Sequence, residues 1–192
     1  REIPLRLVLT LEDFAHILDF LPTGSSQNKM YLREPLAYAL GSEEFKLFEL
    51  VPKPNVIVNI GDRVYIGKEA EKRDKILHVK RRVSFEELTS AAQSELPFVI
   101  AEIVKLEEPR FLKFFNESQP LTIRQHMLEL LPGLGKKTMM SILDERKKGP
   151  FTSFDELAKR VPSLKHPIKV VSNRILMELN DPHQKYRIFV SR

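Results

Sequence analysis

The spacing of apolar positions changes along the chain, and the changes divide it into three stretches. Over residues 1–83 apolar residues come in short runs broken by Gly, Pro and Asn. Leu5, Leu7 and Leu9 recur every second position, which predicts a strand because extended chain alternates its side chains between two faces. Phe14 to Leu21 is ambiguous: apolar positions 11, 14, 15, 17, 18 and 21 fit a helix, yet Pro22-Thr23-Gly24-Ser25-Ser26 stops the run sharply. Phe45–Val51 reads as a strand ended by Pro52-Lys53-Pro54-Asn55. Val56-Ile57-Val58 then leads into a turn at Ile60-Gly61-Asp62 and a strand over Arg63–Gly67. A charged loop, Lys68 to Lys75, precedes a strand over Ile76–Val83. Several short strands joined by Gly/Pro turns suggest a small antiparallel barrel.

From Ser84 the pattern becomes helical. Ser84-Phe85-Glu86-Glu87 is a capping box, so a helix should follow it. Ser94-Glu95-Leu96-Pro97 opens a longer helix with Val99, Ile100, Ile103, Val104 and Leu106 on its buried side, and Pro109 begins another carrying Phe111, Leu112, Phe114 and Phe115. The phenylalanines of this stretch read as core. Beyond Thr122, Ile123, Met127, Leu130 and Leu131 share a helical face that Pro132-Gly133 ends. Lys136 starts the next helix and Lys148-Gly149-Pro150 stops it. Ser153-Phe154-Asp155-Glu156 caps a third over Phe154–Val161, and Ile168–Leu179 is the last. Tyr186–Val190 has strand character and is expected to return to the N-terminal sheet. The fold class is therefore α+β: a small antiparallel β-barrel over residues 1–83, completed by a strand at 185–190, a helical connector over 84–121, and an α-helical module over 122–180.

Charge sharpens this division. Over the 192 residues the formal net charge is only +5. Residues 71–83 carry 6 Lys/Arg against 2 Asp/Glu and residues 122–192 carry 14 against 7, whereas residues 84–121 carry 3 against 7. Clustered cations suit a polyphosphate, because neutralising phosphates releases condensed counterions. The chain holds no Cys, which excludes disulfides, thiolate zinc sites and cysteine-ligated iron–sulfur clusters and suits a reducing cytoplasm. No apolar run approaches the roughly 20 residues that span a bilayer, and the first residues do not read as a secretory signal.

The helical module contains an internal repeat. Leu131-Pro132-Gly133-Leu134-Gly135-Lys136 precedes one helix; thirty residues on, Val161-Pro162-Ser163-Leu164-Lys165-His166 precedes another. Each copy is helix, Pro-x-Leu turn, helix, and two such pairs can close a compact unit that one cannot. In the first copy, Gly133 and Gly135 allow positive φ and leave no Cβ in the way of a ligand. The turn feeds a helix N-terminus, whose free N–H groups and positive dipole end attract phosphate. Lys136 and Lys137 add charge, Thr138 completes the first turn, and Leu134 plugs the turn into the helix pair. Gly133, Leu134, Gly135, Lys136, Lys137 and Thr138 are thus the primary candidate contacts. The second copy has Ser163 and Lys165 in place of glycines; Ser163, Lys165 and Lys169 are its candidates. A further candidate face on the barrel combines Arg63, Tyr65, Lys68, Lys72, Arg73, Lys75, Lys80, Arg81 and Arg82, cations with one aromatic, as a single-strand surface requires.

The run Leu131–Lys137, with Lys148-Gly149-Pro150-Phe151-Thr152-Ser153-Phe154-Asp155-Glu156-Leu157, resembles the tandem helix-hairpin-helix motif of DNA repair, recombination and DNA-uptake proteins over about 60 residues. The chain as a whole resembles a family of archaeal proteins of unknown function, usually described as predicted nucleic-acid- or RNA-binding proteins. That resemblance rests on Glu49–Pro54, Gly61–Lys68, Asp74–Arg82 and the hairpin. It implies an oligonucleotide-binding (OB-like) type of N-terminal barrel, and it supplies no reaction.

Catalytic signatures do not assemble along the chain. Gly133–Thr138 lacks the upstream glycine of a nucleotide-binding loop, the five histidines show no metal-ligand spacing, and Phe151 follows Gly149-Pro150 where some glycosylases place an aspartate. The expectation is a cytoplasmic, non-catalytic nucleic-acid-binding protein without metal or cofactor. It would hold backbone independently of sequence, with RNA favoured over DNA on the family resemblance alone. The alternatives are a nuclease or glycosylase whose carboxylates meet only in three dimensions, and a protein-interaction adaptor whose hairpins merely pack.

Overall fold

The computed structural model describes residues 12–24 and 34–192. The strand expected around Leu5–Leu9 lies outside them. The fold is α+β, with a curled, antiparallel five-stranded sheet that forms a half-barrel. The strands are β1 (Phe14–Leu21), β2 (Leu36–Gly41), β3 (Leu47–Pro52), β4 (Arg63–Tyr65) and β5 (Ile76–Arg82). Five α-helices follow: α1 (Ser90–Leu106), α2 (Glu108–Glu117), α3 (Lys136–Lys147), α4 (Phe154–Arg160) and α5 (Pro167–Asn180). The chain divides into two compact units, one of residues up to Val99 with Leu179–Arg192, the other Ile100–Glu178. Among the described residues no helix is long and apolar enough to cross a membrane.

In the first unit the strands run in the order β4-β1-β2-β3-β5, every pair antiparallel. Ala15, Ile17, Ala37, Ala39, Phe48, Leu50, Val64 and Ile76 form one packed cluster, joined by Val58 and Ile66 from the flanking loops. The strand solution for 14–21 explains its helix-like spacing. Ile17 pairs with Ala39 and Asp19 with Tyr38, so Leu18 is an extra, bulged residue, and both Ile17 and Leu18 are buried. A bulge breaks the two-residue period and leaves adjacent apolar positions inside. β2 was not visible in the sequence at all: each of its six residues is buried, so it carries no alternation.

The loop from β2 to β3 is held by a buried carboxylate. Glu12 accepts the N–H groups of Glu43 (2.8 Å) and Glu44 (2.6 Å), with Lys46 N at 3.4 Å. Burial nevertheless raises its pKa above the usual glutamate value, the N–H groups opposing the shift. Gly41 lies directly against this side chain, and a Cβ there would collide with the carboxylate.

Several expected boundaries move. The Ser84–Glu87 box forms, with Ser84 N donating to Glu87 Oε2 at 2.8 Å, but it closes only a 3-10 turn. α1 starts at Ser90 rather than Ser94 because Thr89 caps it: Ala92 N donates to Thr89 Oγ1 (3.1 Å), whose hydroxyl donates to Asp19 (2.6 Å). Pro97 consequently lies inside the helix. Phe98 and Leu106 face solvent instead of core, whereas Phe111 and Phe115 are buried as expected. Among the described residues no strand spans 185–190. Ser191 N donates to Glu44 O (3.1 Å) in the turn between β2 and β3, and Arg187 donates to the Ser191 and Pro182 carbonyls.

In the second unit the helix expected before the hairpin is replaced by a loop and one 3-10 turn over Met127–Leu130. Thr122 Oγ1 accepts the N–H groups of Arg124 (3.2 Å) and Gln125 (3.0 Å), offering the backbone an alternative to helix. Ile123, expected on a buried face, stands fully in solvent.

Gly41→Ala should lower unfolding free energy by about 2 kcal/mol, because it drives Glu12 off the amides it satisfies. Urea denaturation measures this; an unchanged midpoint removes Glu12 as the tie between β2 and β3.

Candidate functional site

The turn between Leu131 and Lys136 is fixed by two leucines that face inward and two glycines that face out. Leu131 and Leu134 are buried, and Leu134 N donates to Leu131 O at 3.2 Å. Gly133 has φ +82°, the left-handed region, whereas Gly135 sits at φ −83° in extended backbone that any residue can adopt. The expectation that both glycines serve positive φ is therefore corrected: only Gly133 does. At both positions a Cβ would meet open space.

Gly135 is the N-cap of α3, with no side-chain cap. Met139 N returns to Gly135 O (3.0 Å), but the N–H groups of Gly133, Gly135, Lys136, Lys137 and Thr138 meet no acceptor among the described residues. Lys136 and Lys137 are exposed and make no ion pair there. Their placement is unfavourable for the helix itself, since cations at the dipole's positive end cost about 0.3–1 kcal/mol each. By contrast, α4 carries Asp155 and Glu156 in its first turn and is capped by Ser153, whose Oγ accepts Glu156 N at 2.9 Å.

Three polar ties brace the segments around the turn and the end of α3. Arg174, on α5, donates to Leu130 O (3.2 Å) and pairs with Glu178 (3.1 Å); the two are 4% and 0% exposed. Arg160, at the end of α4, donates to the carbonyls of Glu145, Gly149 (2.9 Å) and Pro150 (3.3 Å), which satisfies the chain where α3 ends. His126 accepts Leu128 N at Nδ1 (3.1 Å) while Glu129 accepts His126 N (2.7 Å), a capping box with histidine in the first place. Sequence reasoning missed all three residues. Arg174 and Glu178 at i, i+4 on an apolar helix face were the available signal.

The family model described as "Protein of unknown function (DUF655)" matches residues 11–191. The chain belongs to that family. An uncharacterized protein of Methanocaldococcus jannaschii is 46% identical over 180 residues, covering 93% of this chain and 80% of the relative. The crystal structure of a DUF655 protein from Archaeoglobus fulgidus matches with a TM-score of 0.87 at 44% identity, covering 94% of this chain and all of that one. The DUF655 match carries the archaeal, unknown-function resemblance read from the motifs, and assigns no ligand.

The second copy of the turn repeats the buried half of the first. Leu164 is buried and its N–H donates to Val161 O (2.9 Å). The outward half differs: Ser163 and Lys165 are exposed but bring Cβ atoms, and α5 opens on Pro167, which has no N–H to offer. Lys169 is exposed one turn in.

The barrel-face residues divide between two places. Arg63, Tyr65, Lys68, Lys72 and Lys75 line one cleft of about 670 Å³; Arg73 does not. Lys80, Arg81 and Arg82 lie on β5, at the other end of the strand order. There they are engaged: Lys80 with Glu34 (3.4 Å) and Glu49 (3.7 Å), Arg81 with Glu49 (3.0 Å) and Glu87 (3.2 Å), and Arg82 with Arg192 O (3.1 Å).

Two measurements probe this scaffold. Burial, and then the charge of Arg146, lower the His126 pKa below 6.5. The unfolded chain takes up a proton as pH falls below 6.5 that the folded chain resists, so stability is full above 6.5 and declines on acidification. The melting temperature should fall between pH 7.5 and 5.5 more steeply for the wild-type chain than for His126→Asn, which keeps a capping oxygen and does not titrate. Parallel curves would remove His126 as a contributor. Arg174→Met should cost about 3–5 kcal/mol by stranding the Glu178 charge, and Arg174→Met with Glu178→Met should recover most of it. If the double variant is no better than the single, the pairing is not the reason.

Proposed function

We propose that the protein grips the sugar-phosphate backbone of a nucleic acid at the N-terminus of α3, as a helix-hairpin-helix does, without catalysing a reaction. The observation that carries this reading is the set of amides at Gly133 and Gly135–Thr138 that meet no acceptor among the described residues, beside two exposed lysines placed where the helix alone disfavours them. A phosphate supplies what the turn lacks: acceptors for the amides and a counter-charge for Lys136 and Lys137. Glycine at 133 and 135 allows phosphate oxygens to approach the backbone closely. Backbone donors do not distinguish bases, so the grip is independent of sequence.

On this reading the two hairpins form a tandem module in which the first contacts the polymer and the second, blunted by Ser163, Lys165 and Pro167, chiefly packs. The curled sheet serves as an OB-like single-strand surface, and RNA is the favoured polymer. The nearby acids lend no support to a nuclease: Asp144 and Glu145 are paired along α3 with Lys147 (3.9 Å) and Lys148 (2.7 Å).

Gly135→Asp separates binding from folding. The aspartate would cap α3 with its own carboxylate, keeping stability level or raising it by a few tenths of a kcal/mol, while occupying and repelling the phosphate position. Affinity for single-stranded RNA and DNA should collapse with no drop in melting temperature. Lys136→Ala with Lys137→Ala should weaken all sequences alike and flatten the log–log salt slope by about 0.7 per lysine on single strands. Retention of wild-type affinity and slope by both variants would falsify the hairpin reading.

A further inference from the structure

The cleft against β4 has a construction that backbone binding alone does not explain. Arg63 extends from β4 across the Phe14 ring, its guanidinium carbon 3.5 Å from the centroid. Tyr65 meets Phe14 edge-on, with centroids 5.4 Å apart at 71°. Glu69 N donates to the Tyr65 hydroxyl at 3.4 Å. The Tyr65 hydroxyl and Asp13 Oδ1 both crowd the place where a Cβ on residue 67 would be, so Gly67 is the residue that lets ring and carboxylate share this spot. Phe14, Tyr65 and Gly67 thus hold the guanidinium as a flat, preoriented plate on an exposed side chain.

The charges around the plate sort into spent and unspent. Lys72 is paired with Glu69 (2.7 Å) and Lys75 with Asp62 (3.1 Å). Arg63, Lys68, Asp13 and Asp74 have no ion-pair partner among the described residues. The cleft therefore offers a planar cation for stacking, an ammonium for a phosphate, and free carboxylates. A polyanion alone has no use for the carboxylates. A ribose does, because aspartate accepts hydrogen bonds from sugar hydroxyls, and the 2′-hydroxyl is what separates RNA from DNA. The volume of about 670 Å³ lies within the range of small-ligand sites, roughly 300–1,000 Å³.

We propose that this cleft seats one unpaired ribonucleotide, with its base stacked on the Arg63 guanidinium, its phosphate at Lys68 and its ribose hydroxyls toward Asp13 or Asp74. The site lies wholly in the first unit and stands whether or not α3 binds backbone. Stacking accepts any base, so the selectivity is for ribose rather than for sequence.

The test is calorimetric titration of the full chain with AMP, 2′-deoxy-AMP and inorganic phosphate. AMP should bind more tightly than either of the others. Arg63→Ala should weaken AMP roughly tenfold, and Arg63→Lys should fail to restore it, since it keeps the charge and loses the plane. Asp13→Asn with Asp74→Asn should narrow the gap between AMP and 2′-deoxy-AMP. Gly135→Asp, which closes the α3 phosphate position, should leave the Arg63-dependent part of AMP binding in place. Arg63 is exposed, and matched circular dichroism and melting temperatures establish that its variants fold. Equal binding of phosphate and AMP, full rescue by Arg63→Lys, or no effect of Arg63→Ala would overturn the proposal. Loss of AMP binding in Gly135→Asp alone would assign the phosphate to α3 instead and overturn it as well.

Discussion

The conformation of the hairpin depends on one buried ionic contact. Arg174 and Glu178 are a helical turn apart on α5, so they pair inside a single rigid element, and the guanidinium still has an N–H for Leu130 O. A buried charge pair is rarely better for stability than well-packed apolar residues of the same volume. What it adds is direction. Leucine and methionine could fill the same space, but they could not fix the carbonyl from which the 131–135 turn departs. With Leu130 held by Arg174, and Leu131 and Leu134 sunk in the core, Pro132 and Gly133 bridge fixed points, Gly133 in the left-handed region, and the amides of Gly135–Thr138 meet no acceptor among the described residues.

The start of α3 differs from those of α1 and α4. α1 is capped by Thr89 and α4 by Ser153, with acids in the first turn of α4. α3 has glycine at the cap and two lysines after it. Local rules are usually broken where function requires it. Here an aspartate at 135 and a glutamate at 136 would improve the helix, and the chain carries neither.

The features legible in the sequence were those with a local signal. The thirty-residue repeat, Gly133 and its lysines, the Ser153 cap and the β5 strand all follow from composition within a few residues. The illegible features had non-local causes. β2, an apolar run of Leu, Ala and Tyr without alternation, gave no local signal, and β1 was hidden because the bulge at Leu18 counterfeits a helical spacing. The helix expected over 122–131 yielded to a single hydroxyl, Thr122, that competes for backbone donors. The barrel face read as one patch because cations adjacent in sequence look alike. In the fold Lys80 and Arg81 pair with Glu34, Glu49 and Glu87, while Arg63 and Lys68 have no ion-pair partner among the described residues.

That separation bears on how such a chain could be selective at all. Amides at a helix N-terminus recognise phosphate and nothing attached to it, so a hairpin by itself holds every nucleic acid to a similar degree. Discrimination requires side chains that touch a base or a sugar, and those must be unspent: a cation already paired with a carboxylate gains little by exchanging it for a phosphate. In the first unit Arg63, Lys68, Asp13 and Asp74 line the cleft beside Phe14 and Tyr65 without an ion-pair partner among the described residues, whereas Lys80 and Arg81 on β5 are paired. Charge density along a sequence thus does not show which cations are left unpaired; in this chain the ion pairs of β5 and the unpaired Arg63 and Lys68 beside the Phe14 and Tyr65 rings are distinguished only by the fold.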